Sequence, residues 1–274
     1  MAGMPSTPQR TLTDAQVRGF VEDGFVRLPA AFPRSVAQDC TAALWRMSGL
    51  DPDDPSTWTQ PVVRIEGSAE EPFRQATNTP ALLGAFDQIV GAGRWVPRGG
   101  LGTFPLRFPY PDDPGDAGWH VDASYAQDDD AWPWLNLRSR GRALLMLFLF
   151  TDVGPEEAPT RIKAGSHLDV PPFLAEAGER GRNMLELCQA MDAAGRLDAA
   201  ERPTVYATGQ AGDVYLCHPF LIHGAQPHHG SAPRFIAQPP LEPVGELELE
   251  RADGAYTPVE EAVRRGLGWA AGTA

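Results

Sequence analysis

The chain has 274 residues, 42% of them apolar and 22% charged, close to globular averages and against intrinsic disorder. Its formal net charge of −13 repels phosphate backbones at long range and argues against nucleic acid as a partner. The longest apolar run, Ala143 to Phe150, is far short of the roughly 20 residues that span a bilayer.

In chain order, residues 1–10 read as a frayed Pro/Ser/Thr-rich terminus. They lack the apolar stretch of a signal peptide, so a cytoplasmic location is expected. Thr13 or Asp14 caps a first helix whose apolar stripe is Val17, Phe20 and Val21, and Gly24 stops it. Phe25–Leu28 alternates like a short strand. Pro33–Met47 reads as a second helix, with Val36, Cys40, Leu44 and Trp45 inward. Val62–Ile65 reads as a strand and Pro80–Ile89 as a helix. From Gly102 the pattern changes to short strands between Pro/Gly turns: 103–108, 118–121, 142–151, 160–163, 204–206, 213–217, 221–224 and 234–238. Ala143–Phe150 is apolar on both faces, which suits a central strand covered on both sides. A helical insert (172–177 and 183–194) interrupts the strands, and Pro258–Leu267 forms a final helix.

This pattern predicts a mainly β fold with flanking helices around a jelly-roll core. Residues 1–274 read as one domain, with a helical part at 11–100, the jelly roll at 101–240 and a closing helix at 258–268. The three cysteines, Cys40, Cys188 and Cys217, form neither a disulfide framework nor a zinc spacing.

The segment Gly118-Trp-His-Val-Asp-Ala-Ser124 contains His-x-Asp. Side chains two apart on an extended segment share a face, so His120 and Asp122 can grip one metal while Trp119 and Val121 pack the other way. A third ligand is expected far along the chain, where Gly212–Gly224 offers His218 and His223. Two histidines and one carboxylate form the facial set that leaves open positions on a non-haem Fe(II). Two of those positions can take a 2-oxo acid and one O₂. Arg234 opens the following strand, and its guanidinium can fork onto a carboxylate with two parallel hydrogen bonds.

These residues together resemble the phytanoyl-CoA dioxygenase-like family of Fe(II)/2-oxoglutarate oxygenases. Leu12-Thr-Asp-Ala-Gln…Phe20-Val-Glu-Asp-Gly-Phe-Val-Arg-Leu28 is similar to the family's opening helix and strand. Gly118-Trp-His-Val-Asp122 is similar to its metal motif. Ala164-Gly-Ser-His167 resembles its PGSH turn with Ala164 in place of proline, and His223 followed by Arg234 resembles its distal ligand and cosubstrate arginine. The resemblance implies a double-stranded β-helix with His120, Asp122 and His223 on Fe(II). It also implies 2-oxoglutarate on Arg234, O₂ as second cosubstrate, and hydroxylation, desaturation or ring closure of a small organic metabolite. Halogenating relatives lack the carboxylate that Asp122 supplies. Ile236 stands where many members of the wider superfamily carry Ser or Thr, so Thr103 or Thr160 is the expected second cosubstrate partner. Substrate contacts are expected from Arg107, Ser124, Tyr125, Trp132, Trp134 and Arg161, with the Tyr125–Arg140 loop as a lid. His167 reads as a structural turn histidine, His228 and His229 as solvated, and Asp128–Asp130 as an exposed charge run. Two competing readings are a metal enzyme on a cupin-like barrel that uses no keto acid and a silent small-molecule-binding barrel.

Overall fold

A computed structural model describes residues 11–127 and 130–270; the residues read as a frayed terminus, 1–10, and two of the acidic run, Asp128 and Asp129, lie outside that range. Helix α1 (Asp14–Asp23) starts in a capping box, in which Thr13 accepts from the Gln16 backbone and the Gln16 side chain accepts from the Thr13 N–H. It ends at Gly24 with φ +84°, and the chain turns directly into strand β1 (Phe25–Leu28). Helix α2 (Arg34–Ser48) buries Cys40 and Leu44 as its spacing predicts and closes on Gly49 in the left-handed conformation. Strand β2 (Val62–Ser68) is followed by α3 (Glu71–Thr77), which sequence periodicity misses because two turns are too short to show a stripe. Helix α4 (Pro80–Ile89) follows, capped by Thr79.

The strands that follow are β3 (Leu101–Arg107), β4 (Trp134–Leu135), β5 (Leu144–Leu149), β6 (Arg161–Lys163), β7 (Arg182–Asn183), β8 (Thr204–Tyr206), β9 (Val214–Cys217), β10 (His223–Gly224), β11 (Ile236–Ala237) and β12 (Pro240–Leu241). Helices α5 (Val170–Glu176) and α6 (Met184–Ala193) form the insert, and α7 (Pro258–Gly266) packs against α1. The major sheet runs β1-β9-β5-β11, with β12 also on β5, and the minor sheet runs β10-β6-β8; every pairing is antiparallel.

Strand β5 is central and covered on both faces. Leu144, Met146 and Phe148 join the helical core, where Phe148 meets Phe32 at 5.9 Å between ring centroids. Leu145, Leu147 and Leu149 instead join Ile162 of β6, Tyr215 and Cys217 of β9, Leu221 and Ile236 in a second apolar cluster shared between the two sheets. One uninterrupted apolar strand therefore holds the helices on one side and the minor sheet on the other.

Several expected strands are shorter. Residues 118–121 form no strand; His120 makes a single bridge to His223. Residues 221 and 222 leave the ladder because Leu221 N–H closes a turn on the His218 carbonyl and Ile222 N–H goes to Ser166 Oγ. β11 is two residues long, hemmed in by Pro233, Pro239 and Pro240, which have no N–H to donate.

A Cβ added at Gly24 would lie 2.4 Å from His167 Nδ1 and 2.7 Å from Leu221 Cδ1, on a left-handed backbone. Gly24→Ala is therefore predicted to cost about 2–4 kcal/mol in urea unfolding. Gly19, inside α1 with nothing within 4 Å of its virtual Cβ, is the control. Gly19→Ala should gain about 0.5–1 kcal/mol.

Candidate metal centre and its cavity

His120 and His223 face each other across a reciprocal backbone bridge, His120 N to His223 O at 2.9 Å and His223 N to His120 O at 3.0 Å. The bridge sets their rings 4.4 Å apart. Each ring turns its Nδ1 toward the carbonyl two residues earlier, Gly118 for His120 and Leu221 for His223, both at 3.0 Å. A Nδ1–H donated there leaves both Nε2 lone pairs free for a metal. Asp122 Oδ1 lies 3.7 Å from His120 Nε2 and 3.8 Å from His223 Nε2, and one ligand atom from each residue falls within 4.8 Å of the others. Val121 between the two ligands is buried in the helical core, with Trp119 packed against it, as the alternation predicts.

Burial pushes the His223 imidazole down to about 4, and the neighbouring His120 adds to this. Burial alone would raise the Asp122 carboxyl, but Arg142 and then the two imidazoles hold it below its ordinary value. Arg142 Nη1 lies 3.3 Å from Asp122 Oδ2, the oxygen turned away from the histidines. A neutral His223 beside an ionised carboxylate is the protonation state that binds a divalent metal. Two imidazoles and a carboxylate with no thiolate match the donor preference of Fe(II), so the residues present fit that ion.

The triad opens into a cavity of about 670 Å³. Period-two alternation builds its walls: Thr103, Pro105 and Arg107 face in from β3 while Phe104, Leu106 and Phe108 join the core. Arg234 and Gln238 also face in, whereas Phe235 packs on Trp45 at 4.8 Å. A second reciprocal bridge, Arg107 to Arg234, joins β3 to the approach to β11. Arg234 is 2% exposed. It donates to the Ala158 carbonyl at 2.6 Å and the Pro105 carbonyl at 3.3 Å, and its buried Nε has no partner. No carboxylate lies within ion-pair distance of it among the described residues. Burial pulls its guanidinium down to about 9, and the charge of Arg107 adds to this. Arg107 is different, because Asp116 sits on its Nη2 at 2.6 Å and also takes Arg64.

The family model for phytanoyl-CoA dioxygenase (PhyH) matches residues 20–236, most of the chain, including His120, Asp122, His223, Arg107 and Arg234. The chain belongs to the phytanoyl-CoA dioxygenase family. As a member it is an Fe(II)/2-oxoglutarate-dependent oxygenase. No curated protein matches it in sequence. Similar solved structures include HygX of Streptomyces hygroscopicus with nickel, 2-oxoglutarate and hygromycin B bound, at 19% identity and TM-score 0.54, over 86% of this chain and 90% of that one. EctD of S. alaskensis with 2-oxoglutarate and 5-hydroxyectoine is 19% identical, TM-score 0.55, over 87% of this chain and 78% of that one. SnoK, a non-haem α-ketoglutarate-dependent carbocyclase from nogalamycin biosynthesis, is 18% identical, TM-score 0.53, over 88% and 87%. At these identities the likeness establishes the double-stranded β-helix fold of the family.

Of the positions singled out in the sequence, the cavity gathers His120, Asp122, His223, Arg234, Thr103, Thr160 and Arg107. It does not gather Ser124, Tyr125, Trp132, Trp134 or Arg161. Tyr125 bridges Trp134 through the backbone and donates its hydroxyl to the Arg180 carbonyl. Trp134 pairs with Asn183 of β7, and Ser124 N–H goes to the Trp134 carbonyl. Tyr125 and Trp134 of the loop expected as a lid are thus tied to the helical insert. Trp132 points to solvent at 42% exposure. Arg161 lies over the Trp119 ring and donates to the carbonyls of Ala225 and Ala117. His167 bonds the Val21 carbonyl, as a turn histidine should, and His218 bonds that of Val259. His228, expected in solvent, is buried and bonds the Ala232 carbonyl. Arg142, Arg98 and Asp116 were not foreseen, because each reaches the cavity from a loop by tertiary contact alone, and neither was Arg64, which faces it from within β2.

His120→Ala, Asp122→Ala and His223→Ala should each lower Co(II) or Ni(II) affinity at least tenfold in an anaerobic titration. His167→Ala and His218→Ala should leave it within about threefold. Metal loss in His218→Ala with retention in His223→Ala would reverse the assignment of the distal ligand.

Proposed function

We propose that the chain oxidises an unactivated C–H bond of a small organic metabolite, by hydroxylation, desaturation or ring closure, with 2-oxoglutarate anchored on Arg234. The observation that carries this reading is Arg234 itself: a buried guanidinium with an unpartnered Nε, in the same cavity as three metal-ligating side chains. A buried charge without a counter-ion is costly, and a dicarboxylate supplies the missing partner.

Fe(II) held by His120, Asp122 and His223 supplies the oxygen chemistry that turns 2-oxoglutarate and O₂ into succinate, CO₂ and an oxidised product. The protein's own tasks are positional. The Arg234 fork takes the distal carboxylate, and the buried Thr160 hydroxyl and Thr103 lie on the same walls to take a further bond. Ile236, in the position often held by a hydroxyl residue, is committed to the apolar layer between the sheets. Arg142 holds Asp122 Oδ2, which leaves Oδ1 toward the two Nε2 atoms. The Arg107–Asp116 pair fixes one wall beside Arg234.

The neighbouring structures support a role in small-molecule tailoring. HygX was solved with hygromycin B, and SnoK and the epimerase SnoN are described from nogalamycin biosynthesis or in complex with a nogalamycin. A carbocyclase and an epimerase among them agree with an outcome not limited to hydroxylation.

Arg234→Lys keeps the charge but loses one of two parallel bonds. A charge-assisted hydrogen bond contributes about 1.5–3 kcal/mol, so 2-oxoglutarate affinity should fall roughly tenfold to a hundredfold. Arg234→Leu should fall further, with metal affinity little changed in both. An anaerobic 2-oxoglutarate titration followed by the charge-transfer absorption of the Fe(II) protein reads this directly. An unchanged midpoint in Arg234→Leu would favour the reading in which no keto acid is used.

A further inference from the structure

The metal cavity carries more positive charge than its metal and cosubstrate need. Five arginines, Arg64, Arg98, Arg107, Arg142 and Arg234, face three carboxylates, Glu66, Asp116 and Asp122. A divalent metal and a dianionic 2-oxoglutarate cancel each other. Two positive charges therefore stay in excess inside a protein whose formal net charge is −13. Long-range charge does not explain that concentration of arginine, but a local anion does.

The arginines differ in what satisfies them. Arg107 and Arg64 share Asp116, and Arg234 is the cosubstrate anchor of the reading above. Arg98 and Arg142 are left. Arg142 is 8% exposed, and its Nε and Nη1 have no hydrogen-bond partner, although Nη1 is 3.3 Å from Asp122 Oδ2. Arg98 is half-buried. Its Nε donates to the Gly100 carbonyl at 3.3 Å and its Nη1 to the Pro240 carbonyl, while its Nη2 has no hydrogen bond among the described residues. No carboxylate comes within ion-pair distance of it there. Burial lowers its ordinary affinity for the proton, Glu242 opposes this, and the nearby charge of Arg142 adds to it. Arg98, held only by neutral carbonyls, and Arg142, whose single counter-charge is the metal-binding Asp122, repel until an anion sits between them.

Arg98 also marks a junction. It borders both the metal cavity and a neighbouring recess of about 420 Å³, which share Gly67, Arg98 and Leu101. A molecule that spans the recess and the metal cavity lies against Arg98. We infer that the oxidised substrate carries an oxyacid group, a carboxylate or a phosphate, that is bound by Arg98 with Arg142 beside it. The acid end is fixed at the junction, and the rest of the molecule extends toward His120 and His223. This rests on the 2-oxoglutarate reading and names the substrate class for the same site. A planar fork suits either anion, so the chemistry is shared by both sources.

The test uses the Ni(II) protein saturated with 2-oxoglutarate under anaerobic conditions, titrated calorimetrically with phenylacetate, phenyl phosphate and neutral phenylacetamide. One of the two anions should bind at least tenfold more tightly than the amide without displacing 2-oxoglutarate, and which one does so identifies the acid group. Arg98→Gln should weaken that anion at least tenfold, and Arg98→Lys by less. Both variants should hold 2-oxoglutarate within about twofold of the parent, which also shows that they are folded. Anions that bind no better than the amide, that displace 2-oxoglutarate, or that bind Arg98→Gln unchanged would overturn the subsite and leave the cosubstrate reading intact. Failure of the parent protein to bind 2-oxoglutarate at all would instead overturn that reading and the subsite with it.

Discussion

Two reciprocal backbone bridges, each one residue wide, organise this site. His120 to His223 places two imidazoles side by side, and Arg107 to Arg234 places two guanidiniums side by side. Each bridge joins segments far apart in sequence, and each hydrogen-bonded pair puts its two side chains on one face. His120 and Arg234 lie in no strand, and His223 lies in one of two residues. What fixes them is the core behind: Val121 and Phe235 alternate with the functional residues and lie in the helical core. The apolar anchors and the polar site are therefore one pattern, read at odd and even positions.

Electrostatics follow from that placement. The walls carry charged groups that would be unfavourable in an empty apolar core, and each is offset in a different way. His223 stays neutral through burial, Asp122 stays ionised beside Arg142, and Arg107 is paired by Asp116. Arg234 is held by carbonyl oxygens only. Carbonyl dipoles orient a guanidinium without neutralising it, which is the ground for proposing a dicarboxylate there. The same logic, with weaker burial, applies to Arg98.

The metal ligands were legible in the sequence because their chemistry depends on local spacing. His-x-Asp needs only an extended backbone, and His223 with Arg234 lies within one stretch of chain. The covered strand β5 was legible because its apolar run has no polar face. Other features had no local signal. The pairing of Tyr125 with Trp134 turns the aromatic loop onto itself and the insert, and composition near a metal motif cannot distinguish that from a lid. Arg161 was drawn away by the Trp119 ring, a contact between segments that sequence order does not place together. Arg142 reads as the polar start of an apolar strand, and only the folded chain shows its guanidinium against Asp122. His228 reads as a turn residue, yet its turn folds inward and buries it.

The central claim is that one cavity holds a metal at one bridge and a dicarboxylate at the other. A crystal structure of the protein grown anaerobically with Ni(II) and 2-oxoglutarate tests it most directly. Nickel is expected on His120 Nε2, His223 Nε2 and one oxygen of Asp122, with the distal carboxylate of 2-oxoglutarate forked on Arg234. Nickel outside this triad, or the distal carboxylate on Arg98 with Arg234 still held only by its two carbonyls, would contradict it.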